Sequence, residues 1–254
     1  MKKWPVINVV SLVVTLTVNG LASYLPLNGQ TTGEVSDSFP TLFTPAGYVF
    51  SIWGLIYLGL VAFVWYQAVP SRQNTDLLTR IGPWFAISCA LNVVWLVLWH
   101  WEQFPLTEVA MIGLLASLIA IYMRLGIGRR QVPALEKWLV HTPFSVYLGW
   151  ISVATIANTS ILLYTLKWGG WGIPEEIWTI LVIMVAAGLG IAMTLLRGEI
   201  AYPLVIVWAA IGIVVAHQDI AAIATTAGVC AAVVVLVLVV HRIVGLRKPA
   251  GVGA

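Results

Sequence analysis

Apolar residues run through this chain in long blocks, cut at intervals by proline, glycine or charge. Blocks of about 20 residues match transmembrane helices, because a helix rises 1.5 Å per residue and the hydrocarbon core is roughly 30 Å thick. Cut at those breaks, the sequence gives eight spans: 5–25, 47–68, 80–101, 105–124, 137–166, 176–196, 200–216 and 220–243. The fifth is long enough to extend past the bilayer. The expected fold is all-α, a polytopic membrane helical bundle of about eight transmembrane helices. The first block starts after Lys2 and Lys3 and carries Gly20 and Ala22 at cleavage-site spacing. Its apolar part is long for a signal peptide and is interrupted by Asn8 and Asn19, so a retained helix is expected.

Composition agrees. Of 254 residues, 60% are hydrophobic and 9% charged, against about 25% charged in ordinary soluble domains. The few charges are sorted. If the eight spans hold, eleven of the 13 Lys and Arg residues fall in loops and tails on one side, Arg124 sits at that end of the fourth span, and Lys167 alone lies opposite. The opposite side carries Glu34, Asp37, Glu102, Glu175, Glu176 and Asp219. The positive-inside rule then puts both termini in the cytoplasm, in an inner or plasma membrane. No basic run with interleaved aromatics occurs, so nucleic acid is not an expected partner.

Chemistry-bearing constellations are sparse. Cys89 and Cys230 lie in apolar stretches and read as packing residues, and no metal-ligand spacing is present. His100, His141, His217 and His241 sit near span ends and read as interfacial polar residues, with a haem ligand as the sharper alternative for one of them. No nucleophile elbow, phosphate loop or zinc motif appears, so catalytic residues are not expected. Glu108, one turn into its span, and Asp219, in a short turn, both read as able to reach the interface, which argues against an ion-coupled pump. The first external loop, 26–46, is the longest non-helical stretch and a candidate lid. Gly188, Gly190 and Ala192 in the sixth span suggest a small-residue packing stripe.

The 13 tryptophans exceed what interfacial anchoring explains. Trp53, Trp95 and Trp150 lie deep in their spans. Trp53 and Tyr57 share a face at i, i+4; Asn92 and Trp95 share one at i, i+3; Trp150, Ala154 and Asn158 share one at i, i+4, i+8. Asn92 and Asn158 need polar partners and should point into the bundle. Spacing alone favours a polar and aromatic core over the alternative, an aromatic box around a flat apolar ligand.

Three motifs shift that balance. The run P-A-G-Y-V-F-S-I-W-G-L-I-Y at 45–57, the L-N-V-V-W at 91–95 and the Y-L-G-W-I-S-V-A-T-I-A-N at 147–158 resemble, in order, the second, third and fifth helices of the tryptophan-rich sensory protein family, which includes the mitochondrial translocator protein. The resemblance covers roughly 1–166 and implies a five-helix bundle whose pocket is closed by the first loop. Members bind tetrapyrroles such as protoporphyrin and haem, and some bind sterols or synthetic drugs. Carried over, Trp53, Trp95, Trp150, Ala154 and Asn158 line or support that pocket, with Tyr57 and Asn92 beside them. This chain departs from the pattern at Ala46, where the family has a second proline, and in its shortened Ser51-Ile52-Trp53. Residues 167–254 add three spans with no recognised motif. These spans could cover the surface that short members use to form homo-oligomers.

The expected function is binding of an apolar aromatic or tetrapyrrole ligand within the bundle, as sensor, regulator or carrier, with no obligatory cofactor. The alternative is a transporter of such a ligand or another small solute. Less favoured is a light-dependent porphyrin-degrading enzyme.

Overall fold

The structure, a computed structural model, describes residues 3–25, 27–69 and 76–247. Pro26, Lys2, Arg72 and Lys248, used above, lie outside the described residues. Eight long helices form the fold: α1 (Lys3–Tyr24), α2 (Ile52–Ala68), α3 (Trp84–His100), α4 (Phe104–Leu125), α5 (Thr142–Thr165), α6 (Glu175–Arg197), α7 (Ala201–Ala216) and α8 (Ala221–Arg247). No strand occurs among the described residues. Among the described residues six segments are long and apolar enough to cross a membrane, counting the turn before α2 and the short helical stretch before α5 with the helices they lead into. The other two, α3 and α7, are shorter apolar helices of 17 and 16 residues. Outward-facing Val6, Val10 and Val13 on α1 and Val229, Leu236 and Val240 on α8 leave an apolar exterior suited to lipid.

Local chemistry sets the ends. Pro105 opens the first turn of α4, where its missing N–H costs nothing. Gly126 and Gly198, at φ 65° and 63°, end α4 and α6 in the left-handed conformation that glycine adopts without a Cβ clash. Glu175 and Glu176 start α6 and Arg197 ends it, each sign matched to the helix dipole. The third span does not run on from Arg80. A separate short helix, Asp76–Ile81, precedes a break at Gly82 and Pro83, and Arg80 pairs with Asp76 within it. The fifth span begins at Ala134 and carries a π-turn at Lys137–His141, closed by the Thr142 N–H on the Lys137 carbonyl. Pro143 follows it without an N–H of its own, and the wider turn accommodates the break in the ladder.

The first five helices close a ring: α1 packs on α2 and α3, α3 on α4, α4 on α5, and α5 on α2. The last three pack on one another around Ala187, Val207, Ala210, Ala231, Val234 and Leu238. They dock on the ring through α7, which lies against α5 where Gly149 brings the backbones together. A Cβ there would stand 3.1 Å from the Tyr202 carbonyl oxygen. By contrast α6, though next in sequence to α5, barely touches it.

The 26–46 loop is partly helical. Thr31 and Glu34 form a capping box around the helix Thr32–Asp37, and hydrogen bonds from Thr31 hold the exposed Glu34 carboxyl below its ordinary value. The loop is tied to the bundle on two flanks. Trp99 on α3 donates to the Thr32 carbonyl at 3.1 Å. On α7, Trp208 donates to Val49 and His217 to Thr44, both at 3.1 Å, while the Ala46 N–H donates to Gly212 at 3.1 Å.

Two expectations need correction. His100 and His141 are buried among protein side chains rather than exposed; the His100 Nδ1–H donates to Leu96 at 2.8 Å, while its Nε2 is buried without a partner among the described residues. Of the small-residue stripe in α6, Gly190 faces Ile206 and Val234 whereas a Cβ at Gly188 would meet open space, because residues two apart point some 200° apart on a helix. Glu108, half-buried one turn into α4, turns its carboxylate to α5, as described next.

Candidate functional site

The predicted aromatic residues form one stack. Trp53, in the first turn of α2, lies face to face with Tyr57 (ring centroids 5.6 Å, 23° between planes) and with Trp95 of α3 (6.2 Å, 30°). Trp95 continues onto Trp99 (5.3 Å, 27°). Two α5 rings meet Trp53 edge-on, Tyr147 at 6.0 Å and Trp150 at 6.2 Å. Phe50, in the turn before α2, closes on Trp150 at 5.7 Å. These are the offset and perpendicular geometries that aromatic quadrupoles favour.

Hydrogen bonds hold the stack at its Tyr57 end and at Trp95. The Tyr57 hydroxyl donates to Asn19 Oδ1 at 2.6 Å, Asn19 Nδ2 donates to Asn92 Oδ1 at 2.8 Å, and Asn92 Nδ2 donates to the Tyr147 hydroxyl at 3.3 Å. One network thus joins α1, α2, α3 and α5. On the other side Trp95 Nε1 donates to Asn158 Oδ1 at 3.0 Å, and Asn158 Nδ2 donates to Glu108 Oε2 at 2.6 Å. The second Glu108 oxygen accepts the Thr159 hydroxyl at 2.7 Å. Asn92, Trp95, Trp150 and Asn158 are buried, whereas Trp53, Tyr57 and Ala154 are half-buried. Ala154 packs at the edge of the core, one turn from Trp150 and from Asn158. The Trp150 Nε1–H is buried without a partner among the described residues.

All seven sequence candidates therefore fall in one region, with six of them tied into the stack or its hydrogen bonds. The rings meet one another at contact distance. A cavity of about 1260 Å³ opens instead on another face of α5, in the wedge where α5 and α6 diverge. Thr159, Ser160 and Tyr164 of α5 line it, with Trp178 and Thr179 of α6 across from them and Leu42 and Phe43 of the first loop. None of the seven candidates lines this cavity. Thr159 is the bridge: its hydroxyl faces the same Glu108 that holds Asn158.

At the cavity mouth Trp168, Trp171 and Trp178 cluster with centroids 5.3 to 5.8 Å apart. Trp178 Nε1 donates to the Gly170 carbonyl at 3.1 Å and fixes the loop. Sequence reasoning did not single out these residues, Thr159, or Asn19. Asn19 carried a usable signal, since an amide in an apolar span requires partners. The cavity carried none, because it depends on the angle between two helices.

The family model described as TSPO-like protein matches residues 5–240, a stretch that includes the last three helices as well as the ring. No curated protein and no solved structure matches the chain.

Proposed function

This chain belongs to the TSPO-like family, and from that membership we propose that it binds a flat apolar ligand, of the tetrapyrrole or sterol kind, within the membrane. The site is the wedge between α5 and α6, with the first loop over it. The bound state serves sensing, regulation or carriage of the ligand. One observation carries this reading: a cavity of about 1260 Å³ with apolar and aromatic walls and a few placed hydroxyls. Small-molecule pockets have that character and typically hold about 300–1,000 Å³. The Trp53–Trp95 stack is the rigid support behind it, joined to the wall through Asn158, Glu108 and Thr159. We place the Lys- and Arg-rich end in the cytoplasm of a cell whose inner or plasma membrane holds the bundle.

The test is titration of the detergent-purified chain with protoporphyrin, reading tryptophan fluorescence. Quenching is expected, and Ser160→Phe, which fills the wedge, should weaken it about tenfold or more, a change of about 1.4 kcal/mol per factor of ten. Quenching no greater than that of an unrelated membrane protein would overturn the reading. So would an unaltered titration in the folded Ser160→Phe chain.

A further inference from the structure

We propose that Lys167 makes the α5–α6 cavity selective for anionic amphiphiles, molecules with a flat apolar body and a carboxylate or similar head, an inference that rests on the cavity reading above. Among the described residues two charged side chains line the cavity, Lys167 and Glu175, both at its mouth. They are not equivalent. The Glu175 carboxylate already accepts the Leu42 N–H at 3.2 Å and stands in the first turn of α6, where the helix dipole favours it. Lys167 has no carboxylate within ion-pair distance among the described residues. Its ammonium is the available charge.

Position sharpens the point. The loops at this end of the bundle carry Glu34, Asp37, Glu102, Glu175, Glu176 and Asp219, and Lys167 is their one basic residue. It also holds a costly backbone conformation. Lys167 lies at φ 52°, in the left-handed region that glycine occupies without strain. Its N–H donates to Tyr164 and that of Trp168 to Leu163, both at 3.0 Å, closing the end of α5. Glycines stand two and three residues on, at Gly169 and Gly170, yet the strained position holds a lysine. Strain of this kind concentrates at ligand clamps.

The cavity behind it supplies the complementary surface. Tyr164, Trp168 and Trp178 offer ring faces and edges, and Thr159 lies deeper, toward Glu108. A ligand entering head-last leaves its anion at the lysine and its body against the rings. The head belongs either to a free amphiphile or to an anionic lipid, and the two share this recognition chemistry.

The experiment compares 1-pyrenebutyric acid with its methyl ester on the full chain in non-ionic detergent, by energy transfer from tryptophan. The acid-to-ester affinity ratio of the wild-type chain, divided by that of Lys167→Gln, cancels partitioning into micelles. We expect this quotient to be about fivefold or more at low salt, in line with a charge-assisted contact. It should fall as salt rises, and Lys167→Arg should retain it. Ester binding should be equal in all three chains. Displacement of the acid by added phosphatidylglycerol assigns the head to lipid, and no displacement assigns it to a free amphiphile; either agrees with the proposal. A quotient near one with both probes bound overturns the charge selection and leaves the cavity reading intact. Failure of both probes to bind overturns the two together.

Discussion

Trp95 on α3 and Asn158 on α5 are joined by one hydrogen bond, indole nitrogen to amide oxygen, 3.0 Å long and buried. It connects the aromatic stack to the carboxylate of Glu108. Replacing either partner leaves a buried polar group unpaired. Asn158→Leu should destabilise the chain by about 1–3 kcal/mol, the cost of an unsatisfied buried donor. Trp95→Phe together with Asn158→Leu should cost less than the sum of the two, with coupling above about 0.5 kcal/mol. Thermal unfolding in detergent measures both, and strict additivity would mean that the bond carries no net stability.

Glu108 offers two oxygens to two donors, Asn158 and Thr159. Glu108→Leu leaves the Asn158 amide unpaired, while the Thr159 hydroxyl can turn to the Thr155 carbonyl at 2.8 Å, and should cost about 1–3 kcal/mol. Glu108→Gln keeps one acceptor and turns an amide donor toward the other partner, so an intermediate loss is expected. Equal stability of all three chains would show that the carboxylate is idle.

How far these contacts were legible varies by residue. Asn92, Trp95 and Asn158 were readable because an amide deep in an apolar helix requires a partner and three motifs give the helix order. The partners of Glu108 were not readable, because Asn158 and Thr159 come from α5 and nothing in its own helix announces them. The helix Thr32–Asp37 was signalled by Thr31 and Glu34, but a loop rich in Gly, Ser and Thr concealed it. The cavity arises from the divergence of α5 and α6, which no local pattern encodes. Trp168, Trp171 and Trp178 were not singled out in the sequence, and their place at its mouth follows from the fold.

The first loop depends on a close approach to α7. A Cβ at Gly212 would stand 2.2 Å from Val49 Cγ2 and 3.0 Å from Pro45 Cβ. Gly212→Ala should therefore displace the loop, at a cost of about 1–3 kcal/mol typical of overpacking. Limited proteolysis should then cut within 27–46 faster than in the parent chain, while Gly188→Ala, where a Cβ meets open space, should leave the rate unchanged.

Glu199, in the link between α6 and α7, gives a pH dependence. Burial raises its carboxyl above the ordinary 4.5, against the pull of Ser145, Lys137, Arg242 and Arg197. A carboxyl raised on folding binds more protons in the folded chain than in the unfolded one. Its contribution is therefore full below 4.5 and is lost as pH rises through the raised folded value. Glu199→Gln should flatten that limb of the stability–pH curve, measured as midpoint against pH. A limb of the same slope in the variant would assign it to another group.

The π-turn at Lys137–His141 acts as a phase shift within the longest apolar segment. It inserts one residue into the winding, so the stretch before it is rotated by roughly 100° relative to an unbroken helix running back from α5. Glu136 reaches the Tyr66 hydroxyl at 3.2 Å across to α2 from that rotated stretch. Deleting one residue from the widened turn would leave the faces of α5 beyond Pro143 where they are and swing Glu136 away from Tyr66. The basic end of the bundle and its aromatic interior are in this sense wound independently, and sequence change at one can accumulate without rotating the other.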